Sequence, residues 1–305
     1  MVEAIRVANS LIARIPFQKP ALKLSPRLSK YMLPRIASSQ EVQLLLKHQW
    51  RALRGSGAAA ITFKDVGFSN YSEFEEDGIL LFIFALIGEE SRRVVEICAG
   101  NGMECMAANL IINHGWEGFL FDGDPRNAEV GRAFFANTKG AKLMAPPFTS
   151  AWITAENVDD LLTEAGVVGE VDLFSLDIDG NDYWVWQAIE AIRPRVCVFE
   201  TSDCIPTAEA LTVPYDPDFN ARDKPFPQTA FRGASLAAMT KLSRERGYRL
   251  IGAHRHGFNV FFMRDDVGRD YFPEVDPVAI HDNPWTRRKQ QEWWPQLAGF
   301  PWERV

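Results

Sequence analysis

The chain has 305 residues, 47% of them hydrophobic, with 33 Lys+Arg against 40 Asp+Glu and a formal net charge of −7. That is apolar material enough for a full-sized core, while the acidic balance and short basic runs (Arg92-Arg93 and Arg287-Arg288-Lys289) argue against a nucleic-acid partner, which asks for a basic stripe. No apolar run reaches the ~18 residues of a membrane span, Ile79 to Gly88 being the longest, so the expected partner is a small molecule rather than nucleic acid or membrane.

At the N-terminus, Val2, Ile5, Ala8, Leu11, Ile12 and Ile15 recur at helical spacing until Pro16 and Pro20. A second helix is predicted from Ser39 to Leu53, with Val42, Leu45, Leu46 and Trp50 on one face. Residues 1–60 thus read as a helical extension, covering the sheet, the mouth of a pocket, or a second copy in a homo-oligomer. From Arg93 onward strands and helices alternate. The predicted strands are Arg93–Cys98, Gly118–Phe121, Lys142–Ala145, Asp172–Leu176 and Val196–Glu200. The predicted helices are Met103–His114, Pro125–Asn137, Glu156–Ala165 and Tyr183–Ile192.

Such alternation indicates an α/β fold, a parallel sheet with helices on both faces. A long Pro-rich loop, Ile205–Phe231, precedes a helix at Ala234–Arg246. Two strands follow, Arg249–Ala253 and Asn259–Met263, joined by His254–Phe258; the short join makes the last strand antiparallel. The tail from Asp282 shows no clear element. The division read from this pattern is an extension at 1–60, a catalytic domain at 61–270 and a tail at 271–305. The N-terminus has no apolar region followed by a cleavage site. Cys98, Cys105, Cys197 and Cys204 form no C-x-x-C pair, so reduced, buried thiols in a cytoplasmic protein are expected.

The stretch VVEICAGNGMECMAANLI is the most informative: a strand, a glycine turn at Ala99, Gly100 and Gly102, and a helix. Glycines there let the backbone bend and approach a ligand, and ligands of open α/β sheets bind at the strands' carboxyl ends. Neither the third glycine of G-x-G-x-x-G nor the G-K-[ST] of a phosphate loop is present. Glu96 brings negative charge to the turn, which suits a ligand with an ammonium group. The next strand, GFLFDGD, ends at Asp122 beside Gly123, and an acid there suits ribose hydroxyls. Together these describe a nucleoside site.

EICAGNG followed by FDGDP resembles the first two motifs of class I S-adenosylmethionine-dependent methyltransferases. NLIINHGWEGFLFDGD, DLFSLDIDGNDYWVWQAI and EFEEDGIL are similar to a bacterial branch related to FkbM-type methyltransferases, over about residues 70–265. The resemblance implies a Rossmann-like sheet of seven strands, mostly parallel with the last reversed, and S-adenosylmethionine as donor. By position it implies that Gly100 and Gly102 line the methionine portion near Glu96. It also implies that Asp122 binds the ribose and that the adenine lies near Ala151-Trp152 and Glu156. Cys98 and Asn101 stand where the family often has Gly or Asp.

The fourth strand ends in Asp177, Asp179, Asn181 and Asp182, and the fifth at Glu200, with Asp203 beyond. Parallel neighbours bring these acids to one mouth, where Asp177 also borders the donor pocket. One reading makes Asp179 or Asp177 a general base for an acceptor hydroxyl. Another gives Asp177, Asp179 and Glu200 to a hard cation such as Mg²⁺. Asp182 also suits a helix cap. His254, in the last turn, is a third base on the grounds of its ordinary pKa, and a solvated turn histidine is the alternative. The function expected is O-methylation of a polar small molecule, a sugar or natural product. The rivals are a binding or scaffold protein that kept the fold without the chemistry, and a nucleotide-dependent oxidoreductase.

Overall fold

The computed structural model describes residues 39–54 and 61–305. The amphipathic pattern over Val2–Ile15 lies outside the described residues. Ala37–Val305 forms one unit, tail included. Its first helix, α1 (Gln40–Ala52), is capped by Ser39, whose hydroxyl accepts from the Val42 amide at 3.4 Å. The buried face differs from the one expected. Gln43, Lys47 and Trp50 turn inward, while Val42 and Leu45 are exposed. The polar pair is held by partners: Gln43 accepts from Asn109 at 2.9 Å, and Lys47 pairs with Glu89. Hydrogen bonding thus outweighs the apolar pattern here. A single turn, α2 (Phe63–Val66), leads to α3 (Glu76–Ile87), which is buried on every side from Glu76 to Leu86 and accordingly apolar all round from Gly78 onward. No helix among the described residues is long and apolar enough to cross a membrane.

The main sheet contains β1 (Arg93–Ile97), β2 (Glu117–Asp122), β3 (Phe148–Ser150), β4 (Gly169–Leu176) and β5 (Ile192–Glu200). After a short strand outside this sheet, β6 (Leu211–Thr212), it is completed by β7 (Tyr248–Ala253) and β8 (Asn259–Arg264). The order is β3-β2-β1-β4-β5-β8-β7. The first five strands are parallel, and β8 runs antiparallel between β5 and β7. This is the seven-stranded Rossmann-like sheet expected. The chain leaves β1 for β2 on one side and reaches β4 on the other, so the switch point lies above β1 and β4.

Alternation along each strand divides the core. Val94, Leu173, Val196 and Val198 face α3, α4 (Met106–His114) and α5 (Pro125–Asn137). Val95, Phe174, Cys197 and Phe199 face α6 (Val158–Glu164), α7 (Asp182–Ala188) and α8 (Leu236–Glu245). The layers are therefore helix, sheet, helix.

Several boundaries differ from the sequence reading. Lys142–Ala145 is a turn with Leu143 exposed, and the third strand is Phe148–Ser150, past the two prolines. The helix after the glycine turn begins at Met106, because residues 101–105 complete the turn. The helix predicted to reach Ile192 ends at Ala188, and Ile192 opens β5.

The tail, in which the sequence showed no clear element, has regular structure. It forms α9 (Pro277–His281), α10 (Pro284–Glu292), α11 (Trp294–Leu297) and β9 (Glu303–Arg304). Asp276 and Asn283 cap the first two, each followed by Pro at the first helical position. β9 pairs antiparallel with β6. Leu297, fully buried, packs with Cys204, Ile205, Leu211 and Ala230 against Phe231 and Trp302. The tail therefore grips both ends of the long loop that follows β5.

Candidate functional site

Above the carboxyl ends of β1, β2 and β4 lies a cleft of about 310 Å³, within the range of small-molecule sites. Ile97 and Cys98 form its base at β1; Asp122, Gly123, Asp124 and Pro125 follow β2; Trp152 closes one side. Ile178, Asp179 and Asn181 follow β4, and Phe219 and Arg222 descend from the long loop. Two non-glycine residues of this lining, Cys98 (φ 69°) and Asp179 (φ 57°), hold left-handed backbone. Such strain persists where the surroundings over-determine it, commonly at functional sites.

Asp122 is 2% exposed. Its Oδ1 accepts from the Asp124 amide at 2.8 Å and from Asn127 Nδ2 at 3.0 Å, whereas Oδ2 is buried without a hydrogen-bond partner. Asp124 caps α5 with Pro125 at its start, which fixes the chain beyond the strand. A Cβ at Gly123 would lie 3.2 Å from Trp152 Cε3, so the small residue lets the indole close on the cleft. Trp152 is half exposed, and its Nε1 donates to the Pro217 carbonyl at 2.7 Å.

The glycine turn does different work from that expected. Glu96 is buried at the foot of α4, accepting from the amides of Met106 (3.0 Å) and Ala107 (2.7 Å) and from Cys105 Sγ (3.0 Å). Burial pushes its pKa up, against these hydrogen bonds. Its carboxyl group satisfies the helix N-terminus and does not reach the cleft. Ala99 is buried, its amide donating to Phe121 O at 2.9 Å. Gly100 and Gly102 turn the chain with positive φ, and neither lines the cleft. The glycines shape the mouth, while Cys98 borders it.

The acidic mouth forms a second, smaller recess beside the cleft, lined by Asp177, Asp179, Asp182, Glu200, Thr201, Ser202, Arg232 and Gly233. Oxygens of Asp177, Asp179 and Glu200 lie within 4.8 Å of one another. Two arginines from the long loop neutralise them. Arg232 lies 2.5 Å from Asp179 and 3.7 Å from Glu200, and Arg222 Nε lies 3.6 Å from Asp179. Asp177 and Glu200 hydrogen bond to each other, and both pKa values are pushed up, by burial first and then by neighbouring carboxylates. The pair therefore shares a proton above the usual carboxylate range.

Asp182 is the first residue of α7, with Asn181 in the cap position. Its carboxyl accepts from the amides of Ile178 (2.9 Å) and Gly180 (3.0 Å) and folds the loop beneath Asp179; burial raises its pKa to about 7.

His254 does not meet the cleft and is not solvated. It is 3% exposed and packs against Phe258 (4.3 Å between centroids) and Phe74 (5.2 Å). Burial, then His256, lowers its pKa to about 3. Glu156 accepts from the Tyr215 hydroxyl outside the cleft lining. Asp203 binds the tail, meeting Trp285 Nε1 at 2.8 Å and Lys289 at 3.2 Å. The sequence reading missed Arg222 and Arg232. Their signal was a loop whose cations and aromatics have no helical or strand period.

No protein-family model and no curated protein matches the chain. Solved structures similar to it include several S-adenosylmethionine-dependent methyltransferases. An O-methyltransferase from Bacillus cereus in complex with SAH is 15% identical, with TM-score 0.40, over 78% of this chain and 94% of that one. An S-adenosylmethionine-dependent methyltransferase from Clostridium acetobutylicum is 10% identical, with TM-score 0.40, over 64% and 91%. WbdD is 14% identical, with TM-score 0.36, over 60% of this chain but 39% of its own, and the match to the DszA carbon methyltransferase spans 53% of that chain. At these scores the likenesses carry no argument by themselves; the strand order and the cleft above β1, β2 and β4 do.

Proposed function

We propose that the chain is an S-adenosylmethionine-dependent methyltransferase that methylates a hydroxyl of a polar small molecule, a sugar or natural product, in the branch related to FkbM-type enzymes. The carrying observation is Asp122, which lines a ligand-sized cleft at the end of β2 and whose buried Oδ2 has no hydrogen-bond partner. Leaving such a group unpaired costs about 1–3 kcal/mol. The two donors of a ribose diol suit it, and no phosphate-cradling loop competes. Bound there, S-adenosylmethionine supplies a methyl group already activated by its sulfonium charge.

What remains for the protein is alignment, exclusion of water and removal of a proton. Trp152 and Phe219 narrow the cleft on the side open to solvent. The recess at Asp177 and Glu200, about 20 Å³, has room for one water-sized group such as an acceptor hydroxyl. The Asp177–Glu200 pair is the base in this reading. Asp179, the first choice on sequence, is engaged by two guanidinium groups and serves as their anchor. A divalent ion on Asp177, Asp179 and Glu200 is the second reading, favoured by their mutual approach; Arg232 already brings a cation to that corner. Restoration of activity by Mg²⁺ after chelation would decide for the ion.

Calorimetry with S-adenosylmethionine and with NAD tests the function. Binding of the first alone supports the methyltransferase, binding of the second alone an oxidoreductase, and binding of neither a scaffold. Labelled donor with an extract of the producing cells then identifies the acceptor. A cytoplasmic site of action, consistent with four free cysteines, and a homo-oligomer formed through the N-terminal helices belong to the same proposal, the latter checked by light scattering.

A further inference from the structure

Of the three cations in the Arg287-Arg288-Lys289 run, two face solvent. Arg287 pairs with Asp282 and Arg288 with Glu292, all four side chains more than half exposed, and such pairs contribute little. Lys289 turns inward. Its side chain is 20% exposed and meets, at 3.2 Å, the carboxylate of Asp203, whose side chain is 5% exposed. Its ammonium also lies 4.4 Å from the ring centre of Trp293, 5.1 Å from that of Trp285 and 5.9 Å from that of Phe258. Aromatic faces attract a cation, the more so where water is excluded. The groups joined here come from three parts of the chain. Asp203 follows Thr201 and Ser202, which line the acidic recess, and leads into the long loop. Phe258 lies in the turn before β8. Trp293, in the tail, packs on Phe226 (5.3 Å between centroids), four residues beyond Arg222 of the cleft wall.

We propose that Lys289 is the positioning residue of the cleft's loop wall: its charge, shared by Asp203 and the three rings, holds the segment from Phe219 to Phe226 against the cleft. The effect on ligand affinity rests on the donor reading above; the hold itself does not. Charge rather than bulk does the holding, and that makes the pair asymmetric. Taking away the ammonium strands a buried carboxylate, a costly state. Taking away the carboxylate leaves an ammonium still faced by three rings and able to reach water. Taking away both leaves no charge to bury. With the hold released, Phe226 leaves Trp293 and the loop opens. Only a fraction of molecules then keeps the cleft walled, and the apparent affinity falls by that fraction.

The experiment is limited trypsinolysis of the full chain, with cleavage after Arg222 mapped by mass spectrometry and cleavage after Lys142, exposed in the turn beyond α5, as the internal control. Cleavage requires local opening and not merely an exposed side chain. Lys289→Met is expected to speed cleavage after Arg222 on the order of 10- to 100-fold and to leave that after Lys142 unchanged. Lys289→Arg keeps a cation suited to aromatic faces and should stay near wild type. Asp203→Asn should rise less than Lys289→Met, and Asp203→Asn combined with Lys289→Met should return toward wild type. A Lys289→Met rate unchanged after Arg222, or raised equally at both sites, would overturn the proposal. Should Lys289→Met not fold, the other two Lys289 variants decide, and loss of protection in either would overturn it. By calorimetry, S-adenosylhomocysteine should bind Lys289→Met roughly 3- to 10-fold more weakly than wild type; equal affinity beside an opened loop would overturn the link to the cleft. A wild type that binds no S-adenosylhomocysteine would overturn the donor reading, while the cleavage pattern still judges the hold.

Discussion

At the scale of single residues, the site is set by which carboxyl groups have partners. Asp122 has one oxygen satisfied and one not. Asp122→Ala should weaken S-adenosylmethionine binding by roughly 10- to 100-fold, read by calorimetry, with the thermal midpoint little changed. Asp177 and Glu200 hold each other's proton. Asp177→Asn should lower kcat by about 10²–10⁴ at unchanged donor affinity. The wild-type rate should fall as pH falls through the pair's raised range, because a base must lose its proton before it takes another; a rate flat from pH 5 to 8 would remove the pair from the chemistry.

The place of Asp122 at the cleft was legible in the sequence because it follows from a local rule, an acid at a strand's end. Glu96 obeyed the same rule and was misread: its side chain meets the helix that follows, and only the packed geometry shows which neighbour a strand-end acid finds. Arg222 and Arg232 could not be read, since they pair with acids more than 30 residues earlier across an irregular loop.

At the scale of elements, the long loop is shaped by the glycine it crosses. A Cβ on Gly180 would stand 2.5 Å from Phe219 Cδ1. Gly180→Ala should therefore push Phe219 off the cleft and weaken donor binding several-fold, while far-ultraviolet circular dichroism stays unchanged. Unchanged affinity would show that Phe219 forms no wall. The strands and helices around the sheet were readable from periodicity and capping residues, and only their ends shifted. Lys142–Ala145 was misread because apolar residues in a turn look like a short strand. The tail was missed although Asp276-Pro277 and Asn283-Pro284 are helix-start signals, because its helices are too short to show a period.

At the scale of the whole molecule, buried titratable groups set the response to pH. Burial raises Glu76 and Asp182 to about 7 and Glu200 well above its ordinary range. The folded state keeps these protons after the unfolded chain has released them above about pH 4, so stability declines as pH rises through 7. Burial lowers His114 and His281 to about 4 and His254 to about 3. These act oppositely, favouring the folded state as pH rises from about 4 to 6.5. Above that only the carboxyl set acts, so the thermal midpoint should fall between pH 6.5 and 8.5; a rising midpoint would mean those acids are ionised in the fold.

The pairing of Leu211–Thr212 with Glu303–Arg304 carries a consequence for biosynthesis. As the polypeptide leaves the ribosome, every parallel strand and its crossover helix can assemble in turn. The segment bearing Phe219, Arg222 and Arg232 has to wait for partners translated after all of them. The scaffold is thus in place before the cleft is finished, and a nascent chain stalled before Trp293 would carry a formed sheet with the cleft's loop wall unsupported.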